Sequence, residues 1–216
     1  MIHMSKDFIV LNGGTCFGQV LKNDEEYKAI FDFIDIYDLP HVDLSNYKCM
    51  VINCFVDQEF LYKHRQLIKA FLDSGKVLIF SGNLFLDWLP GGSTFIPKEV
   101  QSVNDYKVYI QQESAIFNGV LEEDMTFKKG VAGFFARGHH PAPEGAEVLL
   151  TLGDGEPINY IDRNSTNGTI FVHVGNDVFP SSMSEEKNKT TDRIGPQLIQ
   201  WVHDEYERIQ LRGVRT

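Results

Sequence analysis

A chain of 216 residues with 43% hydrophobic and 23% charged residues has the composition of a globular protein able to bury a full core without covalent staples. Its formal net charge of -10 disfavours a general nucleic-acid or anionic-membrane surface, because phosphate groups draw basic patches. Its three cysteines, Cys16, Cys49 and Cys54, fit neither a disulfide framework nor a Cys-x-x-Cys metal or redox motif, and no apolar run approaches the roughly 20 residues of a membrane span.

The first residues, Met1 to Asp7, carry no basic segment followed by an apolar stretch, so no signal peptide is expected and the cytoplasm is the default compartment. Phe8 to Leu11 is a short apolar run closed by Asn12-Gly13-Gly14, which predicts a buried strand. Residues 25–37 read as a helix followed by a strand, ended by Pro40. Cys49 to Cys54 predicts the next buried strand. Asp57 then has the character of a helix N-cap, with Gln58 and Glu59 in the first turn. Phe60, Leu61, His64, Leu67, Ile68, Phe71 and Leu72 follow at helical spacing until Gly75, and Val77 to Phe80 forms another strand. His64 on that apolar face reads as a core histidine. Strand, amphipathic helix and strand with short links make a βαβ unit, the building block of parallel sheets covered on both sides.

Residues 84–135 are less regular, with a loop at Trp88 to Gly92 and a strand expected over Tyr106 to Ile110. The last third is β-rich: Val148 to Leu152, Pro157 to Ile161 and Thr169 to Val174, the last two joined as a hairpin through residues 164–168. A polar loop over 181–193 precedes a final helix with Pro196 in its first turn and Leu198, Ile199, Val202, Tyr206 and Ile209 on its buried face. The expectation is one α/β domain over 1–216, flavodoxin-like, with a mostly parallel sheet flanked by helices and a late antiparallel hairpin.

The order of these pieces resembles the class I glutamine amidotransferase-like superfamily, nearest its ThuA-like (trehalose utilisation) branch. The resemblance spans roughly residues 44–180. It is carried by Leu44 to Ile52, by Phe71 to Gly82, by Ile116-Phe117-Asn118-Gly119-Val120, and by Gly155 to Ile158 with Gly168 to Val172. Ser114-Ala115 stand where that branch usually has His-Pro. The resemblance places a nucleophile on a tight turn after the strand ending at Phe80, which makes it Ser81, beside backbone N–H groups that form an oxyanion hole. It also places a histidine after the late strand, where this chain has Gly175-Asn176-Asp177. Asn176 cannot act as a base, and a serine hydroxyl without one is a poor nucleophile. Glutaminase activity is therefore not expected. The resemblance is compatible with a homodimer.

Beside the resemblance, the residues themselves nominate a ligand site at the carboxyl edge of the sheet, where open parallel sheets bind ligands. Gly13 and Gly14 follow the first strand and offer backbone N–H groups, although the loop is neither a Walker nor a dinucleotide fingerprint. Cys54, Gly82, Asn83, Asn176 and Asp177 follow the other parallel strands. Arg137-Gly138-His139-His140-Pro141 is an unusual string: arginine suits a carboxylate or phosphate, and paired imidazoles move protons. No carboxylate or third histidine stands at ligand spacing, so neither a metal nor a cofactor is expected. Three functions remain open: a binding protein for a small polar ligand or a protein partner, a hydrolase pairing Ser81 with His139 or His140, and a pure interaction subunit exposing Trp88, Phe134 and Phe135.

Overall fold

The computed structural model describes residues 6–175, 178–179 and 189–213. Strand β1 (Phe8–Asn12) leads into two short helices, α1 (Cys16–Asn23) and α2 (Glu25–Ile30), and then β2 (Phe31–Asp35). Strand β3 (Cys49–Ile52) is followed by α3 (Gln58–Lys63), α4 (Arg65–Asp73) and β4 (Val77–Ser81). The irregular middle holds β5 (Ile96–Pro97), β6 (Tyr109–Ile110), α5 (Glu122–Thr126) and β7 (Gly138–His139). Strands β8 (Glu147–Thr151), β9 (Pro157–Asp162) and β10 (Thr169–His173) precede α6 (Ile194–Gly213).

Among the described residues, eight strands form one sheet in the order β2-β1-β3-β4-β10-β9-β8-β6, and β5 with β7 forms a small antiparallel pair. The first five are parallel neighbours. Beyond β10 the sheet turns antiparallel through β9, β8 and β6. The parallel part follows the flavodoxin-like order, and β9 with β10 is the antiparallel hairpin expected from sequence. The apolar runs at 49–52 and 77–80 are buried throughout because helices cover both faces. One face packs Phe8, Val51, Ile79 and Phe171 against Leu21 of α1, Tyr27 of α2 and Leu198, Trp201 and Val202 of α6. The other packs Met50, Leu78 and Phe80 against Leu61 of α3 and Ile68 and Leu72 of α4. Each such fully buried large side chain contributes about 1.5–3 kcal/mol relative to exposure.

Three details differ from the sequence reading. Residues 16–23 form a helix, capped by the Thr15 hydroxyl, which accepts from the Gly18 N–H. The single helix expected from Asp57 to Gly75 is two, broken at His64, whose backbone leaves the helical region (φ -105°, ψ 16°) while Arg65 Nη1 takes the Tyr62 carbonyl. The break turns His64 to the half-buried edge, where its ring meets Phe60, and leaves Leu67 exposed; neither belongs to the core. Only Tyr109 and Ile110 of the expected 106–110 strand join the sheet, because residues 103–106 coil into a 3-10 turn with a capping box at Ser102 and Asp105.

Candidate functional site at the carboxyl edge of the sheet

Each central strand is an apolar run that ends in one polar residue at its carboxyl end: Asn12, Asn53, Ser81 and His173. The register aligns them. Ser81 pairs with His173, and His173 pairs across the antiparallel junction with Asn159. Asn12 and Asn53 lie one residue beyond the paired Leu11, Ile52 and Phe80. Side chains alternate along a strand, so these groups share the face of Val10, Val51, Ile79 and Phe171. All five are buried. Asn159 donates from Nδ2 to the Val172 carbonyl (3.0 Å), while its Oδ1 and the Oδ1 of Asn53 have no partner among the described residues.

Ser81 is fully buried, and its hydroxyl donates to the Gly175 carbonyl (3.4 Å). Gly82, next in the chain, has a φ of 145°, and a Cβ there would stand 2.9 Å from the Cys54 Cα. Close packing of two strand ends therefore demands glycine. Phe55 (φ 61°), after β3, is the non-glycine residue with a positive φ among the described residues. His173 lies beside Ser81 under Gly175, where a Cβ would fall 2.3 Å from His173 Nε2 and 2.0 Å from the Phe135 carbonyl. The Phe135 ring meets the imidazole edge-on at 4.6 Å. Among the described residues both imidazole nitrogens of His173 lack a hydrogen-bond partner. Burial drives its pKa down to about 3, and the charges of Lys128 and His140 act in the same direction. The carbonyls of Ile158 and Phe135 oppose this in part, without reaching hydrogen-bond geometry.

The two histidines of the Arg-Gly-His-His-Pro string part ways, as adjacent residues in a strand must. His140 is buried, with its ring against Phe80 and Phe95, and its Nε2 accepts from the Leu84 N–H (3.0 Å). That bond assigns the proton of the neutral ring to Nδ1. Burial, followed by the His139 charge, holds its pKa down to about 4. His139 faces the other way, toward Glu156 (3.8 Å), which with Asp154 brackets Lys98. Neither imidazole bonds to Ser81 among the described residues.

Above Gly175 lies a cavity of about 350 Å³, lined by Phe55, Asn83, Gly133, Phe134, Ala136, Arg137, Val174 and Gly175. Its walls are the loops after β3, β4 and β10 together with the 133–137 segment. Of the residues nominated from sequence, Asn83 and Arg137 line it. Gly82 and Cys54 are buried behind it, and Gly13 and Gly14 sit on the exposed loop after β1, next to Val56. Asn176 and Asp177 lie outside the described residues. The aromatic patch expected of an interaction subunit is not formed by Trp88 and Phe135, which are 1% and 2% exposed and belong to the core. Exposed aromatics at this edge include Tyr37, Phe55 and Phe85.

Gln58 escaped the sequence reading, which took it for a first-turn residue. Its Nε2 donates to the Asn83 carbonyl (2.7 Å), and its Oε1 accepts from the N–H groups of Phe85 (2.8 Å) and Leu86 (3.3 Å) and from Trp88 Nε1 (3.2 Å). One side chain thus fixes the cavity wall at 83–88. Gln58→Ala is expected to lower global stability by about 1–2 kcal/mol. Amide exchange should accelerate at residues 83–88 first, and unchanged protection there would show that Gln58 does not hold the loop.

Sheet order and layering together define a flavodoxin-like α/β protein. No protein-family model and no curated protein sequence matches the chain. Among solved structures it is similar to the cytoplasmic protein STM3548 from Salmonella typhimurium, with a TM-score of 0.57 and 12% identity over 90% of this chain and 98% of that one. It is also similar to the exo-beta-1,4-mannosidase Op5Man5 from Opitutaceae bacterium strain TAV5, with a TM-score of 0.53, 12% identity and coverage of 90% of this chain and 35% of that one. A third likeness is to the beta-galactosidase from Rahnella sp. R3, with a TM-score of 0.50, 15% identity and coverage of 92% and 31%. The chain thus spans nearly all of STM3548 and about a third of each glycosidase chain. At these identities the likeness establishes the fold alone.

Proposed function

We propose that the chain is a non-amidotransferase member of the class I glutamine amidotransferase-like fold, of the ThuA-like branch, that binds a small polar ligand in the carboxyl-edge cavity and works in the cytoplasm. The observation that carries this reading is the cavity itself. It lies over the strand ends where such sheets bind ligands and has the volume of a small-molecule site. Ser81 speaks for binding over hydrolysis, because its hydroxyl is sealed beneath Gly175 and donates to a carbonyl, not to an imidazole. The exposed ring of Phe55 at the cavity, with Phe85 exposed in the neighbouring loop, favours a second reading, in which a segment of a protein partner, or of a second copy in a homodimer, enters the same cavity.

A thermal-shift screen of small polar metabolite-like compounds against the wild type and Asn83→Trp tests the ligand reading. Asn83 is half-buried at the wall, so tryptophan there fills the cavity without entering the core. Compounds that stabilise the wild type are expected to lose their effect on the variant. Hits that stabilise both proteins equally, or a screen without hits, would count against a ligand in this cavity.

A further inference from the structure

We infer that the ligand of this cavity is a small organic acid, held through a carboxylate or phosphate group by Arg137 with an apolar body against Phe55, Phe134 and Val174. The inference rests on the proposal that the cavity binds a ligand, and it adds the charge and shape of that ligand.

Arg137 is the anchor. Its Nε donates to the Gly133 carbonyl (3.0 Å), which fixes the guanidinium plane at the cavity wall. Its two Nη groups meet no acceptor among the described residues. Arg163 and Arg208 are by contrast both tied to Glu205. Among the described residues no carboxylate lines the cavity, although the chain carries 30 acidic residues against 20 lysines and arginines. Arg137 is exposed, so among the described residues the free end of its guanidinium is open to solvent and to a ligand at the cavity mouth. Among the described residues the Asn83 side-chain amide makes no hydrogen bond, and the backbone N–H groups of Asn83 and Gly175 have no acceptor. Several donors and one positive fork with no acceptor among the described residues are the complement of a planar oxyanion. The rest of the wall, Phe55, Phe134, Ala136 and Val174, is apolar.

The cavity at the opposite edge of the sheet has more arginines, Arg163, Arg208 and Arg212, and fits an anion less well. Two of the three are neutralised by Glu205, and the carboxyl ends of α4 and α6 point their negative dipole ends there.

Binding of benzoate, inorganic phosphate and neutral benzamide, measured by calorimetry at low salt on the wild type, Arg137→Gln and Asn83→Trp, tests the inference. Benzoate and phosphate are expected to bind the wild type. Benzamide should bind about tenfold more weakly or not at all, and Arg137→Gln should lose about tenfold or more in benzoate affinity at unchanged melting temperature. Benzamide binding as tightly as benzoate, or full affinity in Arg137→Gln, would overturn the anionic ligand and leave the cavity as a neutral site. Failure of both anions to bind the wild type would overturn it as well. Undiminished binding to Asn83→Trp would instead place the ligand outside the cavity and remove the proposed function itself.

Discussion

Glu205→Ala is expected to cost about 3–5 kcal/mol of unfolding free energy near neutral pH, the range for removing one partner of a buried ion pair. Glu205 is 4% exposed on the inner face of α6. Its carboxylate accepts from Arg163 Nε (2.8 Å), Arg208 Nε (2.8 Å) and the Thr169 hydroxyl (2.6 Å), and Arg163 reaches on to Glu147. The cluster joins α6 to the first residue of β10 and to the turn after β9. Removing the carboxylate leaves two guanidinium groups facing each other without their shared counterion. The titration agrees in size. Burial alone would raise the carboxyl pKa, but the bonds from Arg208, Arg163 and Thr169 outweigh it and hold it at about 2, against 4.5 when unperturbed. At about 1.4 kcal/mol per unit the difference is on the order of 3 kcal/mol. A depressed carboxyl stabilises above its unfolded pKa, so this contribution is complete above pH 4.5 and fades as pH falls toward 2. Urea unfolding at pH 7 measures the cost, and a loss under 1 kcal/mol would mean that the cluster is solvated.

Much of this architecture is written in local pattern. Phe8 to Asn12, Cys49 to Asn53 and Val77 to Ser81 are each four apolar residues and one polar residue, and the parallel sheet follows from burial on both faces. The same repeat announces the polar row at the carboxyl edge, because strands in register bring their terminal polar residues level. His173 was within reach of this argument, as the last residue of the fourth such run. Glu205 was within reach too: Leu198, Val202, Glu205 and Ile209 share one helical face, so a carboxylate there had to be buried and paired.

What local pattern cannot carry is the pairing of distant segments. Gln58 reads as an ordinary first-turn residue until the 83–88 loop folds back over it. His140 meets Leu84 across 56 residues of chain, and only that contact separates its role from that of His139. The break at His64 is similarly invisible, because Phe60, Leu61, Ile68 and Phe71 keep helical spacing through it. Arg137 stands between the two cases. Its residue type suggested an anion, but that no carboxylate of the described residues reaches it is a property of the folded cavity.

The protein is expected to lose stability as pH falls below about 6.5, well before its carboxylates titrate, and His173→Phe is expected to remove about half of that loss. His173 and His140 are buried neutral, with pKa values of about 3 and about 4 against 6.5 when unperturbed. At pH 7 the native state binds no proton at these sites and the unfolded chain only a minor fraction, so stability is nearly complete. Between 6.5 and the folded values the unfolded chain takes up protons that the native state refuses, so each site destabilises by about 1.4 kcal/mol per pH unit. At pH 4.5 that amounts to roughly 2–3 kcal/mol per histidine, a large share of the 5–15 kcal/mol typical of a folded domain. Glu205 contributes almost nothing to this change, since its own loss begins only near pH 4.5. Phenylalanine suits position 173 because the ring already packs edge-on to Phe135 and neither nitrogen has a partner to lose. It should therefore be tolerated at pH 7. Urea unfolding of both proteins at pH 7 and pH 4.5 gives the comparison. A drop equal in wild type and variant would show that His173 is solvated and titrates freely, and would place the acid sensitivity elsewhere. A smaller drop in the variant would mark the strand-end imidazole as the group whose protonation pries open the floor beneath Gly175.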